Sequence, residues 1–122
     1  MEWQIKINND DQYLEIVTSG IADHEGSMTM AKAIPEAMGK NQLKKILIDH
    51  RNISGVVGGI TELYQRSHDF AQMGVIHSIR VAEIVRPEHE DFFQFFETVS
   101  VNRGYLFKIF RNREDALAWL LR

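Results

Sequence analysis

Residues 44–65, "KKILIDHRNISGVVGGITELYQ", decide the fold. Ile46-Leu47-Ile48 is a continuous apolar run rather than an alternating one, so "KKILID" reads as a central strand covered on both faces. It runs straight into Asp49-His50-Arg51 and then into a loop with Gly55, Gly58 and Gly59. After the loop, "ITELYQRSHDFAQMG" reads as a helix that ends at Gly74. A strand that ends in a charged, glycine-rich loop and opens a helix is where many α/β proteins keep their site.

The same alternation extends in both directions. On the N-terminal side, Trp3, Ile5 and Ile7 alternate with polar residues, "NNDDQ" makes a turn, and "YLEIVTS" alternates again until Gly20 closes it. These runs predict a β-hairpin. "ADHEGSMTMAKAIPEAMGK" predicts a helix with Met30, Ala31, Ile34, Ala37 and Met38 on one face, Gly39 as its C-terminal cap, and a kink or break at Pro35. On the C-terminal side, "IRVAEIVR" is a strand stopped by Pro87. The helix "PEHEDFFQFFETVSVNRG" starts on proline and acids, carries an apolar stripe of Phe92, Phe95, Phe96 and Val99, and ends at Gly104. "YLFKIF" is the last strand, and "NREDALAWLLR" is a helix capped by Asn112, with Asp115 three residues on and Trp119 packed inward. The order β-β-α-β-α-β-α-β-α predicts an α/β domain over residues 1–122, a mixed sheet packed with helices.

Composition removes several kinds of chemistry. A chain of 122 residues buries roughly two-thirds of its unfolded surface, enough for one core without disulfides or metal. There are no cysteines, so thiol nucleophiles, disulfides and zinc–thiolate sites are excluded. Net charge is −3 with no basic tract, which argues against nucleic acid and anionic membranes as partners. No apolar run reaches membrane-spanning length, so neither stable membrane insertion nor a signal peptide is expected, and cytoplasmic residence is the default.

Two stretches and the element order resemble a known family. "ILIDHRNISG" (46–55) and "VNRGYLFKIFRNREDALAWLL" (101–121) are similar to STAS domains, the fold of anti-sigma-factor antagonists, and within them to the SpoIIAA-like branch of small bacterial proteins. The resemblance covers nearly the whole chain and implies a non-enzymatic regulatory or protein-interaction module. In phospho-regulated STAS domains an Asp-Ser-Ser-Gly-like turn opens the helix after this strand. The matching positions here are Val57, Gly58, Gly59 and Ile60, with no hydroxyl among them; Ser54 lies before and Thr61 after. Control by phosphorylation at that position is therefore not expected.

The loop lacks the marks of other chemistry. "GVVGGIT" lacks the Lys-Ser/Thr of a P-loop, and Ser54 lacks the G-x-S-x-G frame of a hydrolase. Asp49, His50 and Arg51 are consecutive, so on a strand they alternate faces and do not converge. His50 reads as a polar strand terminus, unless it meets Glu83 or Arg86 from a neighbouring strand. Convergence of His50, Glu83 and a third polar group in a cleft would revive an enzyme reading. His24, His50, His68, His77 and His89 show no metal spacing, so neither a metal nor a cofactor is expected. The candidate partner- or ligand-binding residues are Asp49, Arg51, Asn52, Ser54, Gly58, Gly59 and Thr61. Phe93, about 100° from Phe92 on the helical wheel, is the candidate for an apolar interaction patch, alone or repeated in a homodimer. Tyr64, Phe70 and Met73 would extend such a patch. The alternative function is a carrier of a small apolar ligand or lipid, its mark being an apolar cavity between the Met- and Phe-rich helices.

Overall fold

In the computed structural model, which describes residues 1–58, 61–62, 65, 68–69, 79–102 and 104–122, the Ile46-Leu47-Ile48 run lies at the centre of a five-stranded sheet. The strands are β1 (Glu2–Asn8), β2 (Tyr13–Ala22), β3 (Lys45–Val56), β4 (Arg80–Ile84) and β5 (Leu106–Phe110). They lie side by side in chain order. β1 and β2 form the antiparallel hairpin, and β2, β3, β4 and β5 are mutually parallel. The helices are α1 (His24–Asn41), α2 (Glu90–Asn102, entered through a 3-10 turn at Pro87–His89) and α3 (Arg113–Leu120). Of the helix expected over 60–74, residues 61, 62, 65, 68 and 69 are helical; its other positions, Gly74 included, lie outside the described residues.

β3 is buried on both faces because its alternate residues feed two cores. Ile46 and Ile48 join Leu14 and Ile16 of β2 beneath Met30, Ile34 and Met38 of α1. Leu47 points the other way, to Tyr13, Ala82, Ile84 and the α3 residues Ala116 and Leu120. Leu14, Ile16, Leu47, Ile84 and Leu120 are 0% exposed, and full burial of such a side chain is worth about 1.5–3 kcal/mol. The Trp119 ring packs on Phe110 and is covered by the Arg80 guanidinium 4.3 Å from its centroid.

The structure departs from the sequence reading at four points. α1 runs through Pro35 unbroken: a proline forfeits one backbone bond, and the buried face of Met30, Ala31, Ile34 and Met38 holds the helix on either side of it. Its start is capped by Asp23, whose side chain accepts from the Gly26 N–H at 2.9 Å. Its end lies beyond Gly39, where Gln42 takes the left-handed conformation at φ 56°. In α2 the buried stripe is Phe93, Phe96, Val99 and Ser100, with Phe92 and Phe95 on its flank. Both stripes fit a 3.6-residue period, and the packing of Phe93 on Ala22, Ile53 and Val85 selects between them.

The fourth departure shapes the site. β2 continues past Gly20, and β3 continues past Asp49 to Val56. β4 pairs with β3 only as far as the Asp49↔Ile84 match, whereas β2 pairs with it to Ala22↔Val56. The last residues of β2 and β3 thus form a two-stranded tongue that outruns β4, with register shifts between Val17 and Ser19 and between Gly20 and Ile21. The Arg86 guanidinium donates to the Ile53 carbonyl on the tongue's open side. At the far edge of the sheet the Glu97 carboxylate accepts from the Ile109 N–H at 2.8 Å.

α3 begins as expected, with the Asn112 side chain accepting from the Asp115 N–H at 2.8 Å. Replacing Asn112 with alanine is expected to cost about 1 kcal/mol. In urea denaturation this lowers the midpoint and leaves the slope unchanged.

Candidate functional site

The period of two in β3 sends its charged residues to opposite faces. Asp49 and Arg51 turn toward the face covered by α3. There the Asp49 carboxylate accepts from the Arg51 backbone N–H (3.0 Å), Nε (2.9 Å) and Nη2 (2.7 Å). Burial alone would push this carboxyl up; the hydrogen bonds and charge of Arg51 outweigh it and hold the group below its ordinary value. Close by, Arg113 at the start of α3 donates to both oxygens of Glu15 (3.0 and 2.6 Å) and to the Tyr13 hydroxyl at 3.2 Å. Asp49 and Arg51 are thus occupied with each other.

His50 faces α1 and α2, and it is no exposed terminus. It is 3% exposed, and its Nε2 lies 3.0 Å from Glu83 Oε2, itself on a residue 4% exposed. Its Nδ1 lies 2.7 Å from Oγ1 of Thr18, 0% exposed, and that hydroxyl also lies 3.2 Å from the Asp49 carbonyl. The ring is covered by Phe93, stacked at 4.7 Å and 20°. Of the two partners considered for His50, Glu83 is the one; Arg86 reaches Ile53 and Glu88. Thr18 escaped the sequence reading. A threonine at an inward position of the alternating run "YLEIVTS", and a glutamate inside the apolar "VAEIV", were the available signals.

Two hydrogen placements fit: Thr18 Oγ1 donates to the Asp49 carbonyl and accepts from Nδ1–H, or it donates to Nδ1, and in both a hydrogen lies between Nε2 and Oε2. This leaves Glu83 Oε1 as a buried acceptor without a hydrogen-bond partner among the described residues. Glu83, Met30 and Phe96 line two adjoining clefts on the α1–α2 face. The larger has a cavity volume of about 70 Å³ and is walled by Ile34, Ile46, Ile48, Val81 and Phe107 among others. Three polar groups do converge here. Thr18 is sealed, however, and neither cleft is lined by it, so the hydroxyl offers no accessible nucleophile.

The other candidates sit on the tongue. Asn52 and Ser54 are exposed on β3, Gly58 follows it at φ 131°, and exposed Thr61 opens the helical residues. Gly59 lies outside the described residues, as do Tyr64, Phe70 and Met73. Two aliphatics that the sequence did not flag share this region: Ile21 and Val57, 50% and 54% exposed. Phe93 forms no surface patch; it is 5% exposed because the α2 stripe is turned toward His50. His24 stands between Glu62 (3.3 Å) and Asp69 (3.6 Å), through opposite ring nitrogens, so the three do not share one point. No group of three metal-ligating side chains converges among the described residues, and no helix among them is long and apolar enough to cross a membrane.

No protein-family model matches the chain, and no curated protein sequence matches it. Solved structures do. An uncharacterised protein of the DUF3478 family from Shewanella loihica, described as having a SpoIIAA-like fold, superimposes with a TM-score of 0.60 at 24% identity, over 98% of this chain and 92% of its own. The anti-sigma factor antagonist SpoIIAA in its unphosphorylated form gives 0.56 at 16%, over 97% and 96%. The Bacillus cell fate determinant SpoIIAA in its phosphorylated form gives 0.54 at 15%, over 97% and 98%. The fold is SpoIIAA-like.

Three outcomes are expected. His50→Ala, which strips Glu83 of its hydrogen-bond partner among the described residues, should cost about 3–5 kcal/mol in denaturant, whereas the double change of His50 and Glu83 to leucine should cost less. Gly58→Ala should lose about 1 kcal/mol, because its φ of 131° is one that side-chain-bearing residues rarely adopt, while the Glu62 carboxylate beside it can swing aside. Arg51→Gln should raise the Asp49 carboxyl pKa in an NMR titration. Since that pKa is depressed in the folded state, the pair stabilises above the ordinary carboxylate pKa and the stabilisation fades as pH falls through the folded value. With Arg51 half exposed, the loss near neutral pH should stay below about 1 kcal/mol.

Proposed function

We propose that residues 1–122 act as one SpoIIAA-like domain, a non-enzymatic module that binds a protein partner with the tip of the β2–β3 tongue. The observation that carries this reading is the pair of exposed aliphatics Ile21 and Val57 beside Asn52, Ser54 and Gly58. Apolar side chains ringed by polar ones are the usual anatomy of a protein-binding surface. Gly58, with no side chain, permits close backbone approach. Two of the structurally similar proteins are described as anti-sigma factor antagonist and cell fate determinant, which favours a regulatory role. Asp49 and Arg51 act in this reading by holding β3 rather than by touching the partner.

Two features support binding over chemistry. The hydroxyl nearest His50 is sealed and already donating, and Phe93 covers the imidazole. The tongue also lacks a hydroxyl at Val57 and Gly58, two of the positions that match the phosphorylated turn of related domains, so partner binding here is not gated by phosphate at that position.

Crosslinking in cells that make the tagged chain tests this. The wild type and Ser54→Ala are expected to trap the same partner with equal yield, and Ile21→Asp and Val57→Asp to reduce the yield at least tenfold while keeping their unfolding midpoints. Equal trapping by the aspartate variants would reject the tongue as the surface. A phosphoryl mass increment on Ser54 or Thr61 of the purified chain would reject constitutive binding.

A further inference from the structure

We propose that Glu83 Oε1 is the polar anchor of a ligand site in the cleft between α1, α2 and strands β3 to β5. Its ligand is a small neutral molecule with an apolar body and one hydrogen-bond donor, an alcohol or a primary amide. The inference does not depend on the tongue.

The first support is the orphaned oxygen. Glu83 is 4% exposed, its Oε2 is taken by His50, and its Oε1 meets no donor among the described residues. Leaving a buried acceptor unmade is costly, and a partner that fills it recovers that cost. The second is the surroundings. The larger cleft is walled mainly by apolar side chains, Met30, Ile34, Ile48 and Phe107 among them, with Ser100 and Tyr105 also in its lining, which favours a hydrocarbon body. The third is the direction of the bond the site can make. With a hydrogen between Nε2 and Oε2, Oε1 is an acceptor in either tautomer of His50. A ligand carboxylate would set acceptor against acceptor, and any charged headgroup would give up its hydration to enter an apolar cleft. An uncharged donor satisfies the oxygen without burying a further charge.

The test uses the full chain with labelled isoleucine, valine and methionine methyls, titrated separately with octanol, octanamide and octanoate at neutral pH. Octanol and octanamide are expected to shift the methyls of Met30, Ile34, Ile46, Ile48 and Val81 saturably, with Kd values at least about tenfold below that for octanoate. Glu83→Leu should weaken octanol about tenfold and abolish the preference over octanoate, with the Ile84 methyls on the opposite face reporting that the fold is kept. If that variant does not fold, the wild-type preference alone decides. Octanoate binding as tightly as octanol, shifts confined to other methyls, or no saturable shift would each overturn the proposal.

Discussion

Everything in this molecule depends on β3 being paired along both edges and covered on both faces. A strand in that position can spare no residue: Ile46 and Ile48 supply one core, Leu47 the other, and the backbone pairs with β2 and β4. Its parallel register therefore fixes where its polar residues emerge. Asp49 and His50 come just where β4 is ending, and so they must find side-chain partners on opposite faces. Asp49 finds Arg51 two residues on. His50, facing the larger core, has to recruit from the neighbouring strands, and it takes one group from each.

That recruitment gives the chain a polar line through an apolar layer, from Thr18 on β2 through His50 on β3 to Glu83 on β4. An all-aliphatic layer would hold the sheet at least as well, because buried ion pairs return little net stability. The line instead ties three strands to one register, since a slip of one residue would turn His50 to the wrong face. It also leaves one oxygen over. Phe93 lying flat on the imidazole links α2 to the same line, so the strand network and the helix share a contact.

Much of this was legible in the sequence, and the misses have physical causes. The hairpin, the parallel strands and the Asn112 cap follow from local periodicity and turn chemistry, which act within a few residues, whereas the SpoIIAA-like architecture was implied by the resemblance of residues 46–55 and 101–121 together with the element order. The α2 stripe was read one residue out of phase, because "FFQFF" satisfies a helical period in two registers and only the floor beneath it chooses. The length of the tongue was also missed: glycines at 20 and 55 look like strand ends, yet the pairing of β2 with β3 carries through them with shifts in register. His50 illustrates the remaining gap. Its partners lie more than thirty residues away in each direction, at 18 and 83, and no local pattern could bring them together. The same holds for Ile21 and Val57, apolar residues left exposed on the tongue.

The side chains of Glu97 and Arg86 have a consequence for how copies of this chain meet. A sheet with open edges invites strand-by-strand growth, because its outermost amides and carbonyls are templates for another chain. Here Glu97 occupies the Ile109 amide on the last strand, and Arg86 occupies the Ile53 carbonyl where the tongue leaves its neighbour behind. Each acts as a stopper placed on the ladder by a side chain rather than by another strand. A charged group at each point would have to be displaced before a foreign strand could dock. Growth is thereby disfavoured at those two points of the ladder, at the cost of two long side chains held in place.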